Sequence, residues 1–198
     1  MDLGCTVIVF ALPLLLDPGA TALDLSVGLA TQSIDVPLVP PLPVLTGDVV
    51  AMRGLAPAVT GSLRIRSQMG LVNRLGPALT IGRQQLAVDV HPWVQVVGNL
   101  QDDIDLVVHG GTSVAGLANF GLWNAGAGAT VQWGLIEHVD GRTDTDVGLF
   151  ADSADLRVGR LLRPGLQLDL EFAVALWPDP FTLLRTRPRL VVRGRLDK

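Results

Sequence analysis

The sequence is poor in the side chains that normally cover a water-soluble protein. Of its 198 residues, 48% are hydrophobic and only 17% are charged, whereas soluble domains carry about 25% charged residues. Lysine occurs once, at Lys198, and glutamate only at Glu137 and Glu171. The chain is therefore short of water-facing surface. Its net charge of −4, without a basic stripe, argues against a nucleic-acid partner.

Cysteine and metal-ligand patterns are scarce as well. Cys5 is the single cysteine, so an intrachain disulfide framework is excluded. The histidines and carboxylates do not show the spacing of metal ligands. Residues 140–146 resemble a calcium loop superficially but lack the glutamate that closes an EF-hand. The sequence therefore predicts neither a metal site nor a cofactor.

The N-terminus has the pattern of a targeting segment. Residues 6–16 form an apolar run that is too short to span a bilayer as a helix. A breaker at 17–19 and small residues at 20–22 follow, as in a secretory signal peptide, although Asp2 stands in the usually positive region. We expect a signal peptide over residues 1–22, cleavage after Ala22 and a single domain over 23–198.

Apolar and polar residues alternate along most of the remaining chain, which is the period of a β-strand. In residues 166–176 the apolar side chains occupy even positions, and Gln, Asp and Glu lie between them. A strand of eleven residues that is tilted by about 45° rises about 25 Å along the barrel axis. This is the height of the apolar band on a membrane barrel. The same alternation at 23–30, 63–71 and 86–97 predicts an antiparallel sheet of eight to ten strands.

Glycine, proline, asparagine and aspartate divide these strands. Gly110–Gly111 and residues 140–141 suit tight hairpins, which need positive φ angles. Further turns are expected at residues 73–77, 124–126 and 163–165. Residues 106–136 carry no charge, so a transmembrane helix is the alternative there, but their many glycines favour strands.

The two faces of the strands differ in composition. One is nearly pure Leu, Val and Ile, and the other carries small residues and charges of both signs, which suit a narrow lumen. Over residues 23–196 this pattern resembles small bacterial outer-membrane β-barrel proteins. The resemblance implies an all-β, up-and-down, membrane-spanning barrel in a Gram-negative outer membrane, with lipid as its partner, as a monomer or small homo-oligomer. The chain departs from that group in lacking tyrosine and a terminal aromatic residue.

In such a barrel the polar face would line the lumen with balanced charges. The residues expected there are Asp24, Arg64, Arg66, Asp89, His91, Asp146, Arg157, Asp169, Glu171, Arg189 and Arg193. Because a small barrel has little room for water, these charges should form interlocked ion pairs. This favours a structural scaffold or anchor, with a narrow pore for small solutes as the second possibility.

Two other functions are compatible with the same residues. A soluble periplasmic or secreted β-sandwich, or a lipocalin-like lipid-binding module, would turn the apolar face inward. A lipid hydrolase at the barrel rim would use His109 and Ser113, brought together across a hairpin at 110–111, with Asp103 or Asp105 orienting the histidine.

Overall fold

The fold is all-β. A computed structural model describes residues 15–32, 42–68, 72–99, 105–139, 142–163, 165–175 and 186–197. The strands are β1 (Thr21–Gln32), β2 (Leu42–Ala56), β3 (Val59–Gln68), β4 (Val72–Gly82), β5 (Leu86–Asn99), β6 (Asp105–Phe120), β7 (Trp123–Val139), β8 (Arg142–Asp146), β9 (Phe150–Arg163), β10 (Leu166–Ala175) and β11 (Thr186–Asp197). The described residues include no helix long and apolar enough to cross a membrane. Residues 106–136 belong to β6 and β7, so the helix alternative is wrong.

Ten of these strands close into an up-and-down antiparallel barrel. Strands β1 to β7 pair in chain order, β7 pairs with β9, and β9, β10 and β11 follow in turn. Pairing of β1 with β11, from Ala22 opposite Asp197 to Ala30 opposite Arg189, closes the ring. The short strand β8 pairs with β7 over Leu135–Val139 and lies outside the ring. The prediction of an eight- to ten-stranded barrel is confirmed.

The barrel is apolar outside and polar inside. On β1, Leu25, Val27 and Leu29 are 44–58% exposed, whereas Asp24 and Ser26, which alternate with them, are buried. The same inversion recurs around the ring, in the reverse of the distribution in water-soluble proteins. An apolar belt of this extent is stable in lipid, and the chain is a membrane-spanning barrel. The soluble sandwich or lipocalin-like alternative does not fit, because it requires the apolar face inside.

The two ends of the barrel have connections of different length. At the end where β1 begins and β11 finishes, the connections are residues 57–58, 83–85, 121–122 and 164–165. We call this the short-turn end. At the opposite end, which we call the long-loop end, the connections β1–β2, β3–β4, β5–β6 and β10–β11 have nine, three, five and ten residues, and β8 lies between β7 and β9. Short turns at one end and longer loops at the other are typical of outer-membrane barrels.

Some glycine-rich segments expected to be turns lie inside strands. The turn at 163–165 is confirmed, with Gly165 at φ 74°, but those at 73–77, 110–111 and 124–126 lie within β4, β6 and β7. A Cβ on Gly111 would overlap the Trp93 ring, and one on Gly110 would overlap Trp133. These two glycines therefore provide room for tryptophans in the sheet. Residues 140–141 lie outside the described residues.

A charge placed on the outer face should destabilise the barrel according to its depth. We expect Leu170→Arg, at the middle of β10, to lower the free energy of unfolding by about 2–4 kcal/mol. Leu196→Arg, near the short-turn end, should lower the free energy of unfolding by only about 0–1 kcal/mol. Unfolding from liposomes, followed by tryptophan fluorescence, measures both variants. Equal costs at the two positions would contradict the proposed depth of Leu170.

Candidate functional site: the barrel lumen

The half of the lumen next to the short-turn end is filled with side chains. Gln167, Asn124 and Asp169 are 0–1% exposed. They pack against Gly159, where a Cβ would overlap all three side chains. Around them are further buried side chains from the same ends of the neighbouring strands: Met52, Thr60, Thr80, Ala87, Leu117 and Leu161. This half of the lumen therefore has no room for a wide aqueous path.

Residues 15–20 cover the same end. The backbone N–H of Leu16 donates to Thr60 Oγ1 at 2.7 Å, and Gln84 Nε2 donates to the Leu15 carbonyl at 3.0 Å. Leu15 and Leu16 are both buried. Gly54 lies against the Asp17 carbonyl, so that a Cβ at this position would overlap it. This segment is an integral part of the packing at the short-turn end.

Arg189 is the centre of an ion-pair network in the middle of the lumen. Its Nη1 donates to Glu171 Oε2 at 2.9 Å, and its Nη2 donates to Asp48 Oδ2 at 2.7 Å. Its Nε donates to Thr46 Oγ1 at 2.7 Å. Asp48 also accepts from Arg66 Nε at 2.6 Å. Arg189 thereby connects β11 with β2 and β10, and Arg66 adds β3 to the network through Asp48.

Three further arginines extend the network. Arg64 donates to both oxygens of Asp89, at 2.7 and 2.5 Å. Arg195 donates to both oxygens of Asp24, at 2.7 and 3.0 Å, and both side chains are buried. Arg193 lies 3.3 Å from Asp169 and 3.6 Å from Glu171. Bidentate arginine–carboxylate pairs of this kind are the strong ones.

The residues expected in the lumen fall into three groups. Eight of them form the ion pairs just described: Asp24, Arg64, Arg66, Asp89, Asp169, Glu171, Arg189 and Arg193. His91 and Arg157 line a cavity. Asp146 belongs to β8, which pairs with β7 outside the ring of ten strands, and its side chain lies outside what the structure describes.

Sequence reasoning missed several members of the network. Asp48 was overlooked because Gly47 and the Val49–Val50 pair blur the alternation of β2. Asp155, which accepts from Thr130 Oγ1 at 3.3 Å, was missed as well. Arg195 follows Arg189 and Arg193 at the spacing of a strand face, so that signal was present in the sequence.

His109 and Ser113 do not form a catalytic pair. Both lie on β6, four residues apart, which corresponds to about 13 Å along a strand. His109 Nδ1 is 2.8 Å from Gln132 Nε2. Ser113 Oγ accepts from Trp93 Nε1 at 3.1 Å and is 2.9 Å from Thr130 Oγ1. The expected hairpin between them is absent from β6, so the base and nucleophile of the hydrolase hypothesis are out of reach of each other. Asp103 and the Asp105 side chain lie outside what the structure describes.

A cavity of about 530 Å³ occupies the middle of the lumen. Charged side chains from β1 to β5 and from β9 to β11 line most of it. The β6–β7 side consists of Leu117 and small residues: Ser113, Ala115, Gly126, Ala127, Gly128 and Thr130. Within the described part of the chain, no three His, Cys, Asp or Glu side chains are arranged to hold a metal ion.

The most buried ion pair allows a direct test of how the lumen is stabilised. We expect Arg195→Met to cost about 3–5 kcal/mol, because it leaves the Asp24 carboxylate buried without its partner. The double variant Asp24→Leu with Arg195→Met should be clearly more stable than Arg195→Met alone, since the orphaned charge is gone. Unfolding from liposomes gives the free energies of the two single variants, Asp24→Leu and Arg195→Met, and of the double variant. A double variant as unstable as the sum of two single losses would contradict the pairing.

Solved structures with a similar chain trace are membrane proteins. No protein-family model and no curated protein matches the sequence. A protein from a study of in-meso crystallization of membrane proteins is 9% identical, with a TM-score of 0.47 over 90% of this chain and 83% of that one. An outer-membrane channel from Pseudomonas putida F1 is 12% identical, with a TM-score of 0.44 over 96% of this chain and 98% of that one. Ail, the attachment invasion locus protein of Yersinia pestis, is 9% identical, with a TM-score of 0.32 over 90% of this chain and 99% of that one. Scores this low carry no function across, and the barrel assignment depends on the strand pairing itself.

Proposed function

We propose that this protein is a β-barrel of a Gram-negative outer membrane that acts as a membrane-anchored scaffold with a closed lumen. The observation that carries the proposal is the filled short-turn half of the interior. Gln167, Asn124 and Asp169 are buried there, and residues 15–20 pack over them from the end of the barrel.

The outer membrane is supported by the architecture of the barrel. Closed antiparallel barrels with an apolar outer band, short turns at one end and longer loops at the other belong to that membrane. In such proteins the short turns face the periplasm. We therefore place residues 15–20 and the end of β11 on the periplasmic side. The predicted signal peptide agrees with this route of export.

A narrow pore for small solutes is the competing function. Conduction requires a hydrated path along the whole lumen. Such a path would have to pass the side chains that pack on Gly159 and also open the pairs of Arg189 with Asp48 and Glu171. Separating buried ion pairs leaves uncompensated charges, which is strongly unfavourable. The described arrangement therefore favours a closed barrel.

Planar-bilayer recordings test the closed lumen. We expect the purified full chain, inserted into lipid, to give no stable conductance steps, because packed side chains fill the short-turn half. A known porin inserted under the same conditions is the positive control, and a heat-dependent shift in gel mobility shows that the barrel is folded. Reproducible steps from the folded protein would overturn the proposal.

Residues 15–20 should remain in the mature protein. Cleavage after Ala22 stays a prediction, but it would remove the chain that donates to Thr60 and accepts from Gln84. We propose that any processing of the leader occurs before Leu15. The intact mass of the protein extracted from membranes decides between these sites. A mature chain that begins at Leu23 would contradict the role given to residues 15–20.

The contribution of this segment to stability is measurable with a matched control. Each of Leu15→Ala and Leu16→Ala removes a buried side chain and should cost about 2–5 kcal/mol. Val147→Ala and Leu149→Ala, at side chains that are 81% exposed, should each cost less than about 0.5 kcal/mol. Equal effects of the two sets on unfolding from liposomes would show that residues 15–20 do not pack at the barrel end.

A further inference from the structure

We propose that the lumen cavity binds a small oxyanion, a solute that carries a phosphate or carboxylate group, at Arg157. Arg157 lies on β9 and faces the cavity from a position directly opposite Gly126 of β7. Its Nη2 atom is buried and has no hydrogen-bond partner among the described residues. This binding function goes beyond an anchoring role and does not depend on it.

Arg157 differs from the other arginines of the cavity. Arg64, Arg66, Arg189 and Arg193 are paired with carboxylates. Arg74 donates to Gln95 Oε1 and stacks over Trp93, with 3.8 Å between the guanidinium carbon and the ring centroid. Within the described residues, Arg157 has no carboxylate oxygen at ion-pair distance. An arginine remains charged in proteins, so this cation requires an anion or water from outside the chain.

The net charge of the cavity lining also favours an anion. Six arginines are present: Arg64, Arg66, Arg74, Arg157, Arg189 and Arg193. Five carboxylates face them: Asp24, Asp48, Asp89, Asp155 and Glu171. The excess is therefore one positive charge. Two more buried nitrogens in this lining, Arg193 Nε and His91 Nε2, also have no hydrogen-bond partner among the described residues. An unsatisfied buried polar atom in a native structure requires an explanation, and a bound ion or water is one such explanation.

The wall beside Arg157 leaves space for such a group. The lining across from Arg157 includes the small residues Gly126, Gly128, Ala115 and Ser113, and the Leu117 side chain packs against Gly126. The cavity volume of about 530 Å³ lies within the range of small-molecule sites, about 300–1,000 Å³. It is larger than a single inorganic ion requires, so a small organic acid or phosphate ester fits together with water.

The fork of the guanidinium explains the choice of an oxyanion. Arginine donates two parallel hydrogen bonds to phosphate and carboxylate, which adds geometric specificity to charge attraction. Because packed side chains fill the short-turn half, they block the route to Arg157 from that end.

Calorimetric titration of the full chain, folded in detergent micelles, tests this site with inorganic phosphate at constant ionic strength. We expect saturable binding with one phosphate per chain. Arg157→Gln should weaken the binding at least tenfold. Arg163→Gln removes the same charge from an exposed position on the same strand, and it should change Kd less than twofold. Acetate as a second probe shows whether the site prefers phosphate or carboxylate, and tighter binding of either supports an oxyanion site.

Two results would overturn the proposal: no saturable binding of either probe to the unsubstituted chain, or an unchanged Kd in Arg157→Gln. If Arg157→Gln shows no heat-dependent gel shift and is therefore unfolded, Arg157→Lys replaces it. This variant keeps the charge but loses the fork, so that Kd should rise at least threefold, and an unchanged Kd would overturn the site. Conductance is measured separately, so a conducting barrel would refute the closed-lumen function without affecting this binding test.

Discussion

Lipid offers no hydrogen-bond partner to an exposed strand edge, and this constraint determines the architecture of the chain. A sheet in the bilayer must close so that each backbone donor and acceptor is paired. The pairing of β1 with β11 provides that closure. Once the ring is closed, alternation along each strand fixes which side chains contact lipid and which face the lumen. The exposed leucines and valines, unsuitable for a surface in water, are the consequence of this closure.

Closure also creates an interior in which charges must be paired. A ten-stranded ring leaves little room for water, and an unpaired buried charge is strongly unfavourable. The pairs join residues far apart in sequence: Arg195 and Asp24 are separated by 171 positions, and Arg189 and Asp48 by 141. A shift of one residue in the β1–β11 register would turn Asp24 towards lipid. The ion pairs therefore specify the register in which the first and last strands meet.

The sequence predicts the local part of this arrangement better than the long-range part. Period-two alternation located β1, β3, β5 and β10 and the faces of their side chains, because it reports the environment of each residue directly. It could not assign partners, since the Arg189–Asp48 and Arg64–Asp89 pairs depend on register and on the stagger of the barrel. Gly110–Gly111 was misread for a related reason. The tryptophans for which these glycines make room, Trp93 and Trp133, lie on neighbouring strands, and glycine alone does not distinguish close packing from a turn.

The lumen has two halves with different physical properties, and the difference restricts what the barrel can do. Next to the short turns, Gln167, Asn124 and the segment at 15–20 exclude solvent. In the middle, glycine and alanine on β6 and β7 leave a cavity, and the facing side chains carry one positive charge in excess. The small residues opposite Arg157 border a polar space that packed side chains close at the short-turn end, and such a space suits retention of a solute better than its passage.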